Sequence, residues 1–353
     1  MSAATAPSIA LGLPVEVNDI ARELKKLWQE GDEVMTRASL INLAVYSDAP
    51  DSLERNTQTV SEITKDHACR ALVIAKSTAA DGDAVQAWIS AHCHVSRAGS
   101  KQVCSEQLSF LLPPSCVELL PNIVFSHLDS DLPFYLWWQS ELPAVINPQL
   151  WSWVDRLIYD SRDWTNFEMQ MQRVEAAHAE ADRRMVLCDL NWTRLVFLRL
   201  AIAHFFDAPV ANQQLANISR LEIEFAPGHR STAVLLAGWF AAQLRWTAGQ
   251  ASDANQLRFT NSSGKPIAIV LSEKAGEAIG RCSVFSGKGE FRVIHAPDAD
   301  LLELVAQSGD AERMRQFMPA GCNNPVRLVS EELTRGGQRT VYLRAIERVR
   351  SLL

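Results

Sequence analysis

The sequence predicts a mixed α/β (α+β) protein of two domains. The first is an N-terminal α/β domain whose mixed sheet includes a hairpin, and the second combines helices with a mostly antiparallel sheet. Three observations carry this. Residues 40–46 and 70–76 are short apolar runs separated by a helix-like stretch, 52–66. Strand, helix, strand implies a parallel pair joined by a crossover. Residues 85–95 alternate apolar and polar, as a half-buried strand does. Beyond residue 255, short strands separated by turn residues read as an antiparallel meander.

Each element follows from local pattern. Ile20, Leu24, Leu27 and Trp28 recur at helical spacing, with Arg22, Lys25 and Lys26 on the other face. In the alternating strand Val85, Ala87, Ile89, Ala91, Cys93 and Val95 share one face, and Gln86, Trp88, Ser90, His92 and His94 share the other. A two-residue turn at Ala98 and Gly99 pairs position 97 with 100 and fixes the hairpin register. Ala87 then faces Phe110, Ile89 faces Leu108 and Cys93 faces Cys104. Glu106 and Gln102 are out of place on this apolar side. Residues 116–128 read as a helix and 132–138 as a strand covered on both faces. Residues 157–160 read as a short strand. The second half reads as helices over 166–184, 193–206 and 230–246, a strand over 220–225, and strands over 256–261, 267–272, 281–285 and 291–295. A final helix begins near Val341. The predicted division is a frayed tail over 1–13, then domains over 14–162 and 163–353.

Composition narrows the function classes. With 353 residues, 47% apolar and 21% charged, the chain is an ordinary globular protein, long enough for two cores. The net charge of −7 lacks the basic footprint that nucleic-acid binding requires. The N-terminus has no secretory pattern, and the most apolar helical stretch, 233–242, is too short to span a bilayer, which takes about 20 residues. Seven scattered cysteines with no C-x-x-C fit a reducing cytoplasm and mostly free thiols.

Few patterns suggest chemistry. His92, Cys93 and His94 invite a zinc reading, but on a strand Cys93 points away from both histidines, so one ion cannot collect all three. Cys93 and Cys104, opposed on antiparallel strands, lie at disulfide separation and form a candidate redox pair; two reduced thiols are the alternative. The P-loop, dinucleotide, nucleophile-elbow and zinc-protease patterns are missing. Glu106, Asp129, Asp131, Asp160 and Asp163 read as solvated loop charges. Trp151, Trp153 and Trp164 lie in less regular sequence near the predicted boundary and are candidates for a partner surface. No catalytic, metal-binding or cofactor-binding residue is assigned.

Six segments taken together resemble the glucose-6-phosphate dehydrogenase assembly protein OpcA family. They are WISAHCH at 88–94, QVCSEQL at 102–108, DLPFYLWW at 131–138, RLIYDS at 156–161, DLNWTRL at 189–195 followed by Phe206 and Asp207, and LLAGWFAAQL at 235–244. The resemblance implies a non-catalytic partner of glucose-6-phosphate dehydrogenase, acting as an allosteric activator or assembly factor in the oxidative pentose phosphate pathway. NADP and the sugar phosphate would then belong to the dehydrogenase. In photosynthetic relatives the regulation is linked to thioredoxin, yet the last thirty residues here contain no cysteine. Leu198 stands where the family leads one to expect tryptophan. The rival readings are a cytoplasmic enzyme acting on a sugar phosphate through a loop-borne acid/base pair, and a scaffold without effect on rate.

Overall fold

The computed structural model describes residues 11–29, 35–78, 83–95, 102–145, 147–181, 184–207, 209–249, 255–308, 314–337 and 339–350. The chain forms two compact units that interleave along the sequence. One holds Met1–Tyr159, Gln170–Cys188 and Pro325–Gly336, and the other Asp160–Met169, Asp189–Asn324 and Gly337–Leu353.

The first unit is built on a nine-stranded sheet. Its strands are β1 (Leu13–Val15), β2 (Met35–Arg37), β3 (Ile41–Ser47), β4 (Cys69–Lys76), β5 (Gln86–Val95), β6 (Gln102–Leu112), β7 (Phe134–Trp138), β8 (Arg156–Tyr159) and β9 (Val186–Asp189). They lie in the order β1-β5-β6-β4-β3-β7-β8-β9, with β2 beside β6. β3 runs parallel to both β4 and β7. Leu43, Ala44 and Val45 are fully buried whichever face they point to, which is why β3 reads as an unbroken apolar run. The helices are α1 (Ile20–Gln29), α2 (Ser52–Ile63), α3 (Leu120–His127), α4 (Pro148–Trp151) and α5 (Phe167–Glu180). α2 is the expected crossover from β3 to β4 and buries Leu53, Val60 and Ile63.

The second unit carries an eight-stranded sheet of β10 (Ile218–Phe225), β11 (Thr247–Ala248), β12 (Gln256–Thr260), β13 (Pro266–Glu273), β14 (Ile279–Ser286), β15 (Gly289–His295), β16 (Leu301–Ser308) and β17 (Met314–Pro319), ordered β11-β12-β13-β10-β14-β15-β16-β17. Its helices are α6 (Leu190–Arg194), α7 (Val196–His204), α8 (Pro209–Asn212) and α9 (Arg230–Leu244). Eleven of the fifteen residues of α9 are buried, so the helix shows no amphipathic stripe. Past β17 the chain returns to the first unit as α10 (Pro325–Thr334), which packs on α2, and ends in the second as α11 (Thr340–Arg350), which packs on α9.

Several expectations are corrected. The tail does not extend to residue 13. Leu11 is buried, Leu13 pairs with Ile89, and a Cβ on Gly12 (φ +97°) would sit 2.3 Å from the Ile89 carbonyl oxygen. The helix expected over 193–206 is two helices meeting at Leu195. α9 ends at Leu244, two residues before the expected 246, where Arg245 adopts the left-handed conformation at φ 57°. The sheet of the second unit is not a pure meander, since β10 and β13 are parallel. β9, β16, β17 and α10 have no counterpart among the sequence-based expectations. No helix among the described residues is long and apolar enough to cross a membrane.

Candidate functional site

The hairpin β5–β6 has the predicted register. Ala87 opposes Phe110, Ile89 opposes Leu108 and Cys93 opposes Cys104. Its turn lies outside the described residues. The two cysteines are joined in a disulfide, with Sγ atoms 2.03 Å apart, where composition alone predicts mostly free thiols. The other described cysteines form no disulfide: Cys69, Cys188 and Cys282 are buried, Cys116 is half-buried and Cys322 is exposed. Burial pushes the Cys69 and Cys282 thiols up to about 12, which leaves them unreactive at neutral pH.

The polar face of the hairpin is not solvated. β6 has β4 on its far side, parallel to it, and Ser105, Gln107 and Ser109 are buried. Gln107 Nε2 donates to Thr57 Oγ1 of α2 at 2.9 Å, and its Oε1 is 2.9 Å from His92 Nε2. His94 Nε2 lies 3.1 Å from Thr64 Oγ1. Both histidines therefore serve as polar contacts of the fold. Burial, the larger cause, outweighs the Gln107 hydrogen bond and holds His92 below the usual imidazole range.

Glu106 forms the first of two charged clusters. Its sequence context suggests a solvated charge, but it is 1% exposed. Its carboxylate accepts from Arg70 Nη1 at 2.6 Å and from Trp28 Nε1, and pairs with Arg37 Nε at 3.1 Å. Arg37 and Arg70 also bind Asp129, at 2.8 and 3.2 Å. Fully buried Asn42 clamps this loop to β3 by accepting from Asp129 N and donating to the carbonyls of Asp129 and Leu132. Two arginines and two carboxylates thus neutralise one another. They line an open hollow of about 720 Å³ beside Leu24 and Lys25 of α1.

The second cluster lies wholly in the second unit. Asp189 is buried and accepts four hydrogen bonds: from Ser161 N (3.0 Å), Ser161 Oγ (2.7 Å), Asn191 N (2.9 Å) and Tyr342 Oη (3.0 Å). Asn191 continues the network, donating from Nδ2 to Ser161 and Ser231 and accepting from Thr232 Oγ1. Arg194, one turn on, grips Asp160 with both Nη atoms. Burial first, and the Asp160 charge second, push the Asp189 carboxyl up to about 7 against the pull of these donors. His229, 3.2 Å from Thr232 Oγ1, is held below the usual range by burial and by Arg194 and Arg162. Asp160 joins this network, whereas Asp163 pairs with Arg162 at the surface. Beside Arg194 and Thr232 lies a cavity of about 260 Å³ whose other walls include Glu277, His295, Asp298 and Asp300. The segments at 156–161 and 189–195, separate strings in the sequence, meet here. The participants that sequence reasoning misses are His229, Thr232 and Tyr342: Thr232 is a polar residue on the buried helix α9, His229 precedes that helix, and Tyr342 lies on the buried face of α11.

The three tryptophans do not form one surface. Trp151 is 1% exposed against Trp138 in the first unit, which removes it from any accessible partner surface. Trp153 is 68% exposed and touches Phe125 edge-on, with ring centres 5.9 Å apart. It borders a hollow of about 800 Å³ that also includes Asp129, Asp131 and Arg184. Trp164, in the second unit, is half-buried against Phe167. Among the described residues no group of three or more His, Cys, Asp or Glu is placed to hold a metal ion.

Two family models match in succession. The N-terminal domain of the glucose-6-phosphate dehydrogenase subunit covers residues 60–176, and the C-terminal domain of the same subunit covers residues 185–346. Relatives provisionally named OxPP cycle protein OpcA are found in cyanobacteria. The Synechocystis protein is 24% identical over 71% of this chain and 54% of its own length. The Nostoc punctiforme protein is 28% identical over 52% of this chain and 40% of its own. The chain thus spans about half the length of these relatives. Among solved structures, an aldose-aldose oxidoreductase from Caulobacter crescentus covers 88% of this chain and 95% of its own, at 11% identity and a TM-score of 0.49, a likeness too weak to bear on function.

Proposed function

Because this chain belongs to the OpcA family of glucose-6-phosphate dehydrogenase subunits, we propose that it is a non-catalytic regulatory subunit of that dehydrogenase. In this reading it binds the enzyme and promotes its active oligomer, or raises its affinity for glucose 6-phosphate, in the oxidative pentose phosphate pathway. The observation that carries the reading is the succession of both family domains along one chain. NADP and the sugar phosphate are then ligands of the dehydrogenase.

Activation requires that the chain bind the active form more tightly than the inactive one. A tenfold change in apparent substrate affinity needs a difference of about 1.4 kcal/mol. Trp153 suits such a contact, because an exposed indole brings a large rigid surface at small entropic cost. The Cys93–Cys104 disulfide supplies a trigger. A dithiol reductant of the thioredoxin class attacks one sulfur through a thiolate. Its second thiol then resolves the mixed disulfide, leaving Cys93 and Cys104 as thiols and the reductant as the disulfide.

The test is a titration of this chain into the dehydrogenase of the same organism, reading rate against glucose 6-phosphate and co-elution. The expected result is a rise in kcat/KM with co-elution. Trp153→Ala should weaken binding about tenfold or more, and Leu40→Ala, at another exposed apolar side chain of the same unit, should not. Unchanged rate constants together with separate elution of the two proteins would overturn the reading.

A further inference from the structure

The sheet of the second unit has two unlike faces. One carries Leu221, Ile223, Ile269, Val284, Val293 and Leu304, all buried, and it is the side on which α9 packs. The residues between them form the opposite face, and these are charged and apolar in alternation. Arg220 lies beside Glu222, Arg281 beside Glu224, Arg292 beside Glu290 and Arg315 beside Glu303, each pair in ionic contact. Arg220 also stacks over Phe285, and Arg315 over Phe317. This face is open. Phe317 is 56% exposed and Leu301 49%.

Its size is that of a specific interface. Seven strands from β12 to β17, with β10 between β13 and β14, span about 29 Å at roughly 4.8 Å spacing, and seven residues run about 23 Å. The projected area is roughly 700 Å², close to the ~800 Å² that each partner of a standard complex buries. The charges are already paired along the sheet, which lowers the cost of covering them.

The pattern also matches itself. A two-fold axis along β14, in a face-to-face sandwich, lays β10 of one copy over β15 of the other, and β13 over β16. The strand registers put Arg220, Phe285 and Glu290 in one row across the sheet, and Val270, Glu222, Ser283, Arg292 and Val305 in the next. The axis then sets Arg220 against Glu290 of the second copy and Glu222 against its Arg292. Phe285 meets Phe285. Arg281 meets its own copy, each already bound to Glu224. We infer that this face is the interface of a two-fold homodimer, formed by a second copy of this chain. Such an isologous contact is the commonest route to closed symmetry.

The experiment is sedimentation velocity on the full-length chain, with circular dichroism to check folding. The native chain should sediment as a concentration-dependent dimer. Glu222→Arg and Arg292→Glu should each weaken the dimer at least about a hundredfold, since like charges then oppose one another twice. Mixing the two variants should restore dimers, because both contacts become Arg–Glu again; so should the double variant. A native chain that remains monomeric at about 100 μM overturns the inference. So do folded single variants whose mixture fails to dimerise, or single variants that stay dimeric and lose only the dehydrogenase.

Discussion

Glu106 and Asp189 are both buried carboxylates, and their surroundings treat them in opposite ways. Glu106 has two arginines within reach, so removing one leaves a buried charge short of its partner. Arg70→Met should destabilise the fold by about 3 kcal/mol in denaturant titrations, more than Arg37→Met, because Arg37 is half-exposed. Asp189 has donors but no cation among the partners of its oxygens, and its carboxyl is raised to about 7 from 3.8. The folded state therefore holds a proton that the unfolded chain releases between those values. Stability from this group is fully present below about pH 4 and is lost as pH rises toward 7. Asp189→Asn should remove that slope. The stability difference between native and variant should shrink by roughly 4 kcal/mol at most from pH 4 to pH 8, at 1.36 kcal/mol per unit. A difference that stays flat or grows across this range would contradict the assignment.

At the scale of elements, close approach decides more than propensity. Gly238 sits in the middle of α9, where glycine is normally costly. A Cβ there would lie 2.4 Å from Val349 Cγ2 and 2.7 Å from the Ala345 carbonyl oxygen of α11. Gly238→Ala should therefore lower stability by about 1–3 kcal/mol, despite its better helix propensity, with the loss read as a lower Tm. In the hairpin, the disulfide closes a short loop; reducing it, or Cys93→Ser with Cys104→Ser, should cost about 2–3 kcal/mol. What the sequence made legible at this scale was pattern. Period two gave the hairpin register down to Cys93 and Cys104, and the apolar runs gave β3, β4 and β7. What it hid was context. Glu106 seemed misplaced on an apolar face because Arg37, Arg70 and Trp28 come from other segments. Nothing local shows that Gln107, fully buried, reaches Thr57 of α2. β17 escaped notice because an edge strand exposed at nearly every position has no alternation to read.

For the whole molecule, the sequence suggested a single boundary near residue 162, whereas the compact units trade segments along the chain. A fragment of residues 1–162 lacks β9, α5 and α10. It would leave uncovered the surface of α2 on which α10 packs. Such a fragment should show a broad, weakly cooperative melt, and joining residues 325–336 to it through a linker should recover part of the transition. Neither unit can be excised by one cut.

That threading has a consequence for the protein as it is made. Synthesis runs from the N-terminus, and a nascent chain tends to fold each region as soon as its sequence has emerged. Here the first-built sheet waits for α10, whose residues follow the whole of the second sheet. Until then the face of α2 that α10 covers is bare on the ribosome. The interval between translating residue 63 and residue 325 is therefore when this polypeptide is most exposed to aggregation and most dependent on chaperones, and slowing elongation late in the message should lengthen that exposure.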